Sequence, residues 1–193
     1  MTDSGNASPD PVLGALANWP VQNLTLVLGG ARSGKSRLAE ALIRHWAGDT
    51  TPAYIATAEA FDDEMRVRIA QHQTDRGTDW ETVEAPMSLP AALMRARGKP
   101  VLVDCLTLWL SNLMLAERPT AGASDALLTA LTERQAPTVL VSNEVGLGIV
   151  PDNELGRRFR DAAGYLNQAV AATADAVVFT AAGLPLVLKG PKS

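Results

Sequence analysis

An eight-residue run near the start of the chain constrains its fold and chemistry more than any other feature. The run follows the pattern G-x-x-x-x-G-K-[ST] at every position. Glycines allow the backbone to curl so that successive N–H groups point at one phosphate. The Lys35 ammonium can reach the β- and γ-phosphates of a nucleotide, and the Ser36 hydroxyl can bind Mg²⁺. The predicted phosphate-binding residues are Gly29, Gly30, Ala31, Arg32, Ser33, Gly34, Lys35 and Ser36.

The segments that flank this run supply the structural context that the motif requires. Residues 24–28, LTLVL, predict a short buried strand. After the run, apolar residues recur at a helical spacing, and Gly48 predicts the end of that helix. These apolar residues are Leu38, Leu42, Ile43 and Trp46. A chance glycine-rich turn would lack this context, so we interpret the run as a phosphate-binding loop, or P-loop.

Strand and helix patterns alternate through the rest of the chain. The runs that predict further strands are 53–56, 101–103, 139–141, 177–179 and 186–188. Residues 62–73 predict a helix, and so, for most of their length, do residues 153–174. This alternation predicts an α/β protein in which helices flank a mostly parallel sheet. Combined with the P-loop, it indicates a P-loop NTPase fold of the RecA-like type.

The two ends of the chain have different patterns. Residues 1–20 begin MTDSGNASPD, which lacks the positive start and apolar stretch of a signal peptide, and they predict a flexible N-terminal extension. We expect residues 21–193 to form a single nucleotide-binding catalytic domain. Within it, residues 118–124, RPTAGAS, predict the clearest surface loop.

Composition excludes several classes of function. Of the 193 residues, 47% are hydrophobic and 20% are charged, and the formal net charge is −4. Proteins that bind nucleic acid through its phosphates usually carry a basic face, which this balance does not indicate. No apolar run approaches the roughly 18 residues needed to span a membrane. Cys105 is the only cysteine, which excludes an intrachain disulfide and fits a reducing cytoplasm.

Asp104 is the leading candidate for a second metal ligand. It follows the apolar run Val101–Val103, so it is expected at the carboxyl end of a buried strand, where ligand sites of α/β proteins form. P-loop proteins pair the loop with such a carboxylate to hold Mg²⁺. The alternative is an aspartate that caps the next helix. Weaker metal candidates, more typical of acids in a first helical turn, are Asp62, Asp63 and Glu64.

Other residues separate the classes of P-loop protein. A regulatory GTPase carries an Asn-Lys-x-Asp guanine reader after a strand, whereas residues 142–146 here are Ser-Asn-Glu-Val-Gly. A motor ATPase usually has a longer chain and a basic or partner-binding face. A small-molecule phosphotransferase fits the size better, although these residues leave its acceptor open.

Four segments together carry a resemblance to a known family. They are GGARSGKSRLAE (29–40), YIATAEAFDDEMRVRIAQHQ (54–73), VDCLTLWLSNL (103–113) and SNEVGLGIVPDNELGRRFRDAAGYLNQ (142–168). In order and spacing they resemble the bifunctional adenosylcobinamide kinase / adenosylcobinamide-phosphate guanylyltransferase family of cobalamin biosynthesis. The resemblance extends from about Leu24 to Lys189.

The resemblance implies two reactions in one chain. In the first, the γ-phosphoryl group of ATP or GTP goes to a hydroxyl of adenosylcobinamide, with Mg²⁺ as cofactor. In the second, GMP from GTP is transferred to the new phosphate by way of a guanylylated histidine, giving adenosylcobinamide-GDP and pyrophosphate. The histidine at the matching position is His72. The family resemblance also implies a homo-oligomer, specifically a homotrimer.

The same resemblance assigns further nucleotide contacts. A loop after the second predicted strand supplies Ala58, Glu59 and Ala60, and the segment after His72 supplies Gln73, Thr74, Asp75 and Arg76. Arg76 has the charge to pair with a phosphate. Glu84 has a carboxylate that can accept hydrogen bonds from the N–H groups of a guanine edge, with simple surface solvation as its alternative.

The choice between a bifunctional enzyme and the alternative functions depends on His72. Met65, Ile69 and His72 share one helical face, and a neutral imidazole is a good nucleophile near pH 7. A histidine on such a face can instead be structural, which would leave a kinase-only phosphotransferase. A third possibility is a nucleotide-gated binding protein without turnover. His45, the only other histidine, is expected near the end of the P-loop helix, facing solvent or favouring the helix dipole.

Overall fold

A seven-stranded sheet forms the centre of the computed structural model, which describes residues 19–59, 67 and 79–190. Its strands are β1 Leu24–Gly29, β2 Ala53–Ala56, β3 Glu81–Glu84, β4 Val101–Asp104, β5 Thr138–Asn143, β6 Ala176–Ala181 and β7 Leu184–Lys189. The helices are α1 Lys35–Ala47, α2 Leu89–Arg95, α3 Leu106–Leu115, α4 Thr120–Thr132 and α5 Glu154–Thr173.

The strand order is β3-β2-β4-β5-β1-β6-β7, and every neighbouring pair is parallel except β6 and β7. Because parallel strands end at the same edge of a sheet, their carboxyl termini lie side by side. In the register, Ala56 is opposite both Glu84 and Asp104, and Gly29 is opposite Asn143. The P-loop and Asp104 therefore both lie at the carboxyl-terminal edge of the sheet, and β5 lies between their strands, β1 and β4.

Apolar side chains alternate between the two faces of the sheet, as the period of a strand requires. One face is covered by α2, α3, α4 and α5, with Trp109 and Leu110 among its fully buried side chains. The other face is covered by α1, whose Leu38 and Ile43 pack against strand residues that include Val27. The result is an α/β protein with helices on both faces, and no helix among the described residues is long and apolar enough to cross a membrane.

Most of the predicted strands and helices are confirmed. The strand predicted over 53–56 has those bounds, and the other predicted strands lie inside β1, β4, β5, β6 and β7. The helix predicted over 153–174 is α5, which begins after Asn153, whose side chain accepts a hydrogen bond from the Gly156 N–H. Of the helix predicted over 62–73 the structure describes only Val67, which is helical; the rest of it, like residues 1–18, lies outside the described residues.

The predicted surface loop 118–124 is wrong over most of its length, because α4 begins at Thr120. Its Gly122 and Ser124 disfavour a helix by propensity, but Leu127 and Leu131 farther along α4 are buried in the core. This packing outweighs the weak local preference. Three elements were not predicted from the sequence: β3, a short edge strand with mostly exposed side chains, and the helices α2 and α3.

Candidate nucleotide-binding site

The P-loop connects the end of β1 to the start of α1 in the predicted strand–loop–helix order. Gly29 and Gly34 have φ angles of 155° and 98°, and Gly34 is the N-cap of α1. A Cβ atom on Gly29 would lie 2.4 Å from the carbonyl oxygen of Thr180, so only glycine fits at that position. The tight curve of the loop thus depends on a close approach of β6 as well as on backbone freedom.

The β6–β7 hairpin braces the P-loop from one side. The Ser33 hydroxyl lies 2.8 Å from the Thr180 hydroxyl, and the Thr180 hydroxyl donates to the Leu28 carbonyl oxygen. The Gly183 N–H, in the hairpin turn, donates to the Ser33 carbonyl oxygen at 3.0 Å. These bonds join the loop to residues about 150 positions later in the chain. They hold its backbone before any nucleotide binds, which lowers the cost of ordering it.

Lys35 begins α1 and turns its side chain back across the loop. Its ammonium group donates to the Gly30 carbonyl oxygen at 2.6 Å, and the residue is 7% exposed. Burial lowers the pKa of Lys35, while the neighbouring acidic groups Cys105 and Asp104 act in the opposite direction. A desolvated ammonium group at the mouth of a P-loop is available to a phosphate anion, which would restore a favourable partner for its charge.

Asp104 ends β4 on the face of the sheet that α1 covers. Its Oδ2 accepts a hydrogen bond from the Tyr54 hydroxyl at 2.5 Å. The N-cap of α3 is Cys105, which excludes the alternative that Asp104 caps that helix. Ser36, in the first turn of α1, is half-buried. Asp104 and Ser36 supply a carboxylate and a hydroxyl, the oxygen donors that Mg²⁺ prefers.

A polar network continues from Asp104 along the carboxyl edge of the sheet. The Thr57 hydroxyl accepts from the Cys105 N–H at 2.7 Å, and the Asn112 amide donates to the Thr57 carbonyl oxygen at 2.8 Å. The Asn143 amide donates to the Thr107 hydroxyl at 2.9 Å. Burial, followed by the nearby Asp104 carboxylate, raises the pKa of the Cys105 thiol, so the thiol is neutral in this network. These contacts fix the loops that follow β2, β4 and β5.

The structure describes some of the remaining predicted nucleotide-contacting residues and not others. Ala58 and Glu59 follow β2 beside the Asp104 edge, with Ala58 half-buried and Glu59 exposed. Glu84 is exposed at the end of β3, two strands away from Asp104. His45 is exposed late in α1, as expected. The other predicted site residues, Ala60, His72, Gln73, Thr74, Asp75 and Arg76, lie outside the described residues.

An apolar loop leads from the site to α5. The Glu144 N–H donates to the Gly29 carbonyl oxygen at 3.0 Å, which ties the start of this loop to the base of the P-loop. Beyond it, Leu147 is 81% exposed and Ile149 is 98% exposed. We call residues 145–151 the apolar loop. Exposed apolar groups beside a polar site are typical of a surface that contacts a ligand or a partner.

Two residues that contact the main parts of this site, Tyr54 and Thr180, were not predicted from the sequence. The sequence placed Tyr54 on a predicted strand, but the pairing of that strand with the one that ends in Asp104 is visible only in the sheet order. Thr180 had no local signal. Its contact with Ser33 spans 147 positions, and only the pairing of β1 with β6 brings the two hydroxyls together.

Comparison with known proteins decides the family. The family model described as cobinamide kinase / cobinamide phosphate guanyltransferase matches residues 25–188, which include the P-loop, Asp104 and the apolar loop. The chain belongs to this family. It is therefore a bifunctional enzyme of cobalamin biosynthesis, a cobinamide kinase and a cobinamide phosphate guanyltransferase.

Curated relatives agree with this family over nearly their whole length. The chain is 52% identical over 169 residues to the bifunctional adenosylcobalamin biosynthesis protein CobP of Pseudomonas aeruginosa, covering 86% of this chain and 96% of the relative. It is 40% identical to the CobU proteins of Salmonella typhimurium and Escherichia coli, over 184 and 185 residues, covering 86% of this chain and 99% of each relative.

A solved structure supports the fold class. The flagellar accessory protein FlaH from Methanocaldococcus jannaschii aligns with a TM-score of 0.56, covering 96% of this chain and 87% of that chain. At 11% sequence identity this similarity concerns the fold alone. With the P-loop and the mostly parallel sheet, it confirms the predicted RecA-like P-loop architecture of this family member.

Proposed function

We propose that both reactions of this family member occur at the carboxyl edge of the sheet, with the nucleotide phosphates on residues 29–36. The observation that carries the proposal is the side chain of the buried residue Lys35, whose ammonium group donates to the Gly30 carbonyl oxygen within electrostatic reach of Asp104. This arrangement supplies a phosphate-binding cation and a metal-binding carboxylate on opposite sides of one strand, β5.

Ser36 and Asp104 would hold Mg²⁺ together with oxygens of the nucleotide. Within residues 19–59 and 79–190, no three histidine, cysteine or carboxylate side chains are grouped to hold a metal ion by themselves. Two oxygen donors fit Mg²⁺, which usually binds one or two protein ligands and completes its shell with phosphates and water. When bound, the ion would neutralise charge on the phosphates.

In the kinase step, the residues of the chain act by positioning and by neutralising charge. The cobinamide hydroxyl oxygen bonds to the γ-phosphorus of ATP or GTP, and the bond from that phosphorus to the bridging oxygen breaks. Lys35 moves from the Gly30 carbonyl oxygen to the phosphates, where its charge offsets the negative charge that develops. The nucleoside diphosphate leaves and the hydroxyl proton passes to solvent.

In the guanylyl step, we assign the nucleophile to His72. Its imidazole nitrogen bonds to the α-phosphorus of GTP and pyrophosphate leaves. A phosphate oxygen of the cobinamide phosphate then bonds to the same phosphorus, and the histidine is released. The family resemblance of residues 54–73 supports this role, and it also supports contacts from Gln73, Thr74, Asp75 and Arg76.

We assign the selection of the nucleotide base to residues at the ends of β2 and β3. Glu84, exposed beside β2, is available to accept hydrogen bonds from the N–H groups of guanine. Ala58, Glu59 and Ala60 would contact the nucleotide from the intervening loop. The exposed carboxylate of Glu84, at the same edge as Asp104, supports the guanine assignment.

We place the acceptor against the apolar loop. Leu147, Ile149 and Val150 are exposed by 81%, 98% and 59%, and the loop is bonded to the P-loop through Glu144. A corrin macrocycle presents broad apolar surfaces that such side chains can cover. Contact there would bring the acceptor arm close to the phosphate-binding loop.

We also propose a cytoplasmic homo-oligomer, a trimer being the state that the family resemblance implies. Strand β7 is at an edge of the sheet, and Leu184, Leu186 and Leu188 are exposed by 64%, 60% and 57%. An apolar edge strand is a ready surface for another protein chain. The single cysteine, buried as a free thiol, fits a reducing cytoplasm.

The double-displacement route is tested with two histidine variants. Wild type incubated with [α-³²P]GTP should acquire a label that is stable to base and lost in acid. His72→Asn should acquire none, and should phosphorylate adenosylcobinamide but form no adenosylcobinamide-GDP. His45→Asn is the matched control, because His45 is exposed in α1, and it should label like wild type.

Equal labelling of His72→Asn and wild type would move the nucleophile elsewhere. Labelling of neither protein would favour direct transfer or a chain that acts only as a kinase.

A further inference from the structure

Tyr54 reaches the proposed metal ligand from the neighbouring strand. In the parallel pair of β2 and β4, Tyr54 is opposite Leu102, and Ala56 is opposite Asp104. Tyr54 and Asp104 are thus diagonal neighbours on the face covered by α1. A diagonal pair is within reach of an aromatic side chain, and the small side chain of Ala56 leaves space beside the Asp104 carboxylate.

The Tyr54 ring is buried and packs against Trp80. The residue is 4% exposed, and its ring meets that of Trp80 edge to face, with centroids 5.7 Å apart and planes at 82°. The Arg44 guanidinium group lies 5.2 Å from the centroid of the Trp80 ring. The hydroxyl therefore has a fixed position, from which it donates to Asp104 Oδ2.

We propose that Tyr54 is a positioning residue that holds the Asp104 carboxylate ready for the metal–nucleotide complex. An ionised carboxylate has about four acceptor directions, so one hydrogen bond to Oδ2 restricts its rotation and leaves the others free for a metal ion. Restricting the ligand beforehand lowers the entropy that metal binding costs. The inference rests on the proposed metal role of Asp104.

Binding of Mn²⁺, used in place of Mg²⁺, tests this role without turnover. The free and bound ion can be measured by electron paramagnetic resonance for the full chain saturated with α,β-methylene-GTP, whose α–β bridge cannot be cleaved in guanylyl transfer, with no cobinamide acceptor present. Tyr54→Phe keeps the ring and removes only the hydroxyl. We expect its Mn²⁺ dissociation constant to rise roughly tenfold, the lower end of the range for a lost hydrogen bond to a metal ligand. Tyr165→Phe is the matched control, since Tyr165 is 73% exposed on α5, and it should bind like wild type.

A double-mutant cycle with Asp104→Asn separates this inference from the proposed function. If Tyr54 acts through Asp104, Tyr54→Phe should add no further loss in the Asp104→Asn background. Additive losses, or wild-type Mn²⁺ affinity in a folded Tyr54→Phe, would refute the positioning role. If Asp104→Asn itself binds Mn²⁺ like wild type, the metal role of Asp104 fails first. Thermal unfolding of each variant verifies that the compared chains are folded.

Discussion

At the scale of single residues, Lys35 is the described residue to which we assign the central role in binding the phosphates. The residue is buried, and its ammonium group donates a hydrogen bond to the Gly30 carbonyl oxygen. We propose that this carbonyl oxygen is the hydrogen-bond acceptor of the ammonium group until a nucleotide phosphate takes its place. Since a phosphate carries full charge and a carbonyl only a dipole, this proposed exchange would favour the bound nucleotide.

The expected result of Lys35→Ala is a loss of phosphoryl transfer to adenosylcobinamide of at least about 100-fold at saturating nucleotide, the scale for removing one charge-stabilising donor. The rate of adenosylcobinamide phosphate formation measures it. Lys99→Ala is the control, because Lys99 precedes β4 at the opposite edge of the sheet and pairs with Glu81. Near-normal turnover of Lys35→Ala would remove the P-loop from the kinase reaction.

At the scale of elements, the site is assembled from loops that belong to four adjacent strands. The P-loop follows β1, Asp104 ends β4, the apolar loop follows β5, and the β6–β7 hairpin braces the P-loop through Thr180 and Gly183. Rigid strands hold these loops at fixed spacings, which explains how short segments can act together.

The double variant Leu147→Ser/Ile149→Ser tests the role of the apolar loop. If these side chains cover the corrin surface, the KM for adenosylcobinamide should rise roughly tenfold or more, given the usual gain from burying large apolar side chains. The dissociation constant for nucleotide should not change. Leu115→Ser, at an exposed position at the far end of α3, serves as the control.

Steady-state kinetics with varied acceptor, together with light scattering, distinguishes the occupants of the apolar loop. An unchanged KM in the double variant would exclude the acceptor contact. An altered molecular mass with an unchanged KM would assign the loop to an interface between subunits.

At the scale of the whole molecule, β7 is the last strand of the described sheet and carries exposed apolar side chains. Its leucine side chains at 184, 186 and 188 are all more than half exposed. In the proposed trimer these leucines would be buried between subunits. The same exposure in a monomer would favour aggregation.

Size-exclusion chromatography with multi-angle light scattering measures this assembly directly. Wild type should have about three times the chain mass of 20.4 kDa, whereas Leu186→Glu/Leu188→Glu should have the mass of one chain, because two buried charges would oppose association. Leu115→Glu, which is equally exposed but far along α3, should keep the wild-type mass. A wild type of 20.4 kDa would contradict the proposal, and an oligomeric double variant would locate the interface elsewhere.

The local features of this protein were predictable from sequence because they depend on neighbours in the chain. The P-loop is recognised by glycines at set spacings between a predicted strand and a predicted helix. Asp104 is recognised by the apolar run that precedes it. The alternating runs indicated the parallel sheet for the same reason. The roles of His72 and of residues 73–76 came from family resemblance and remain predictions.

Only the tertiary structure determined the contacts that join distant parts of the chain. Thr180 meets Ser33, and Tyr54 meets Asp104, because strand order brings them together. Arg134 illustrates the same limit: it is 7% exposed, it donates to the carbonyl oxygens of Leu93 and Ala96 near the end of α2, and burial lowers its pKa to about 10. Helix propensity likewise did not predict the first turn of α4, which is stabilised by core packing farther along the helix. A local sequence pattern reports the conformational preference of each residue and its near neighbours. The contacts named above join pairs of residues whose separation in sequence is far greater than the period of any helix or strand, so no local pattern predicts them.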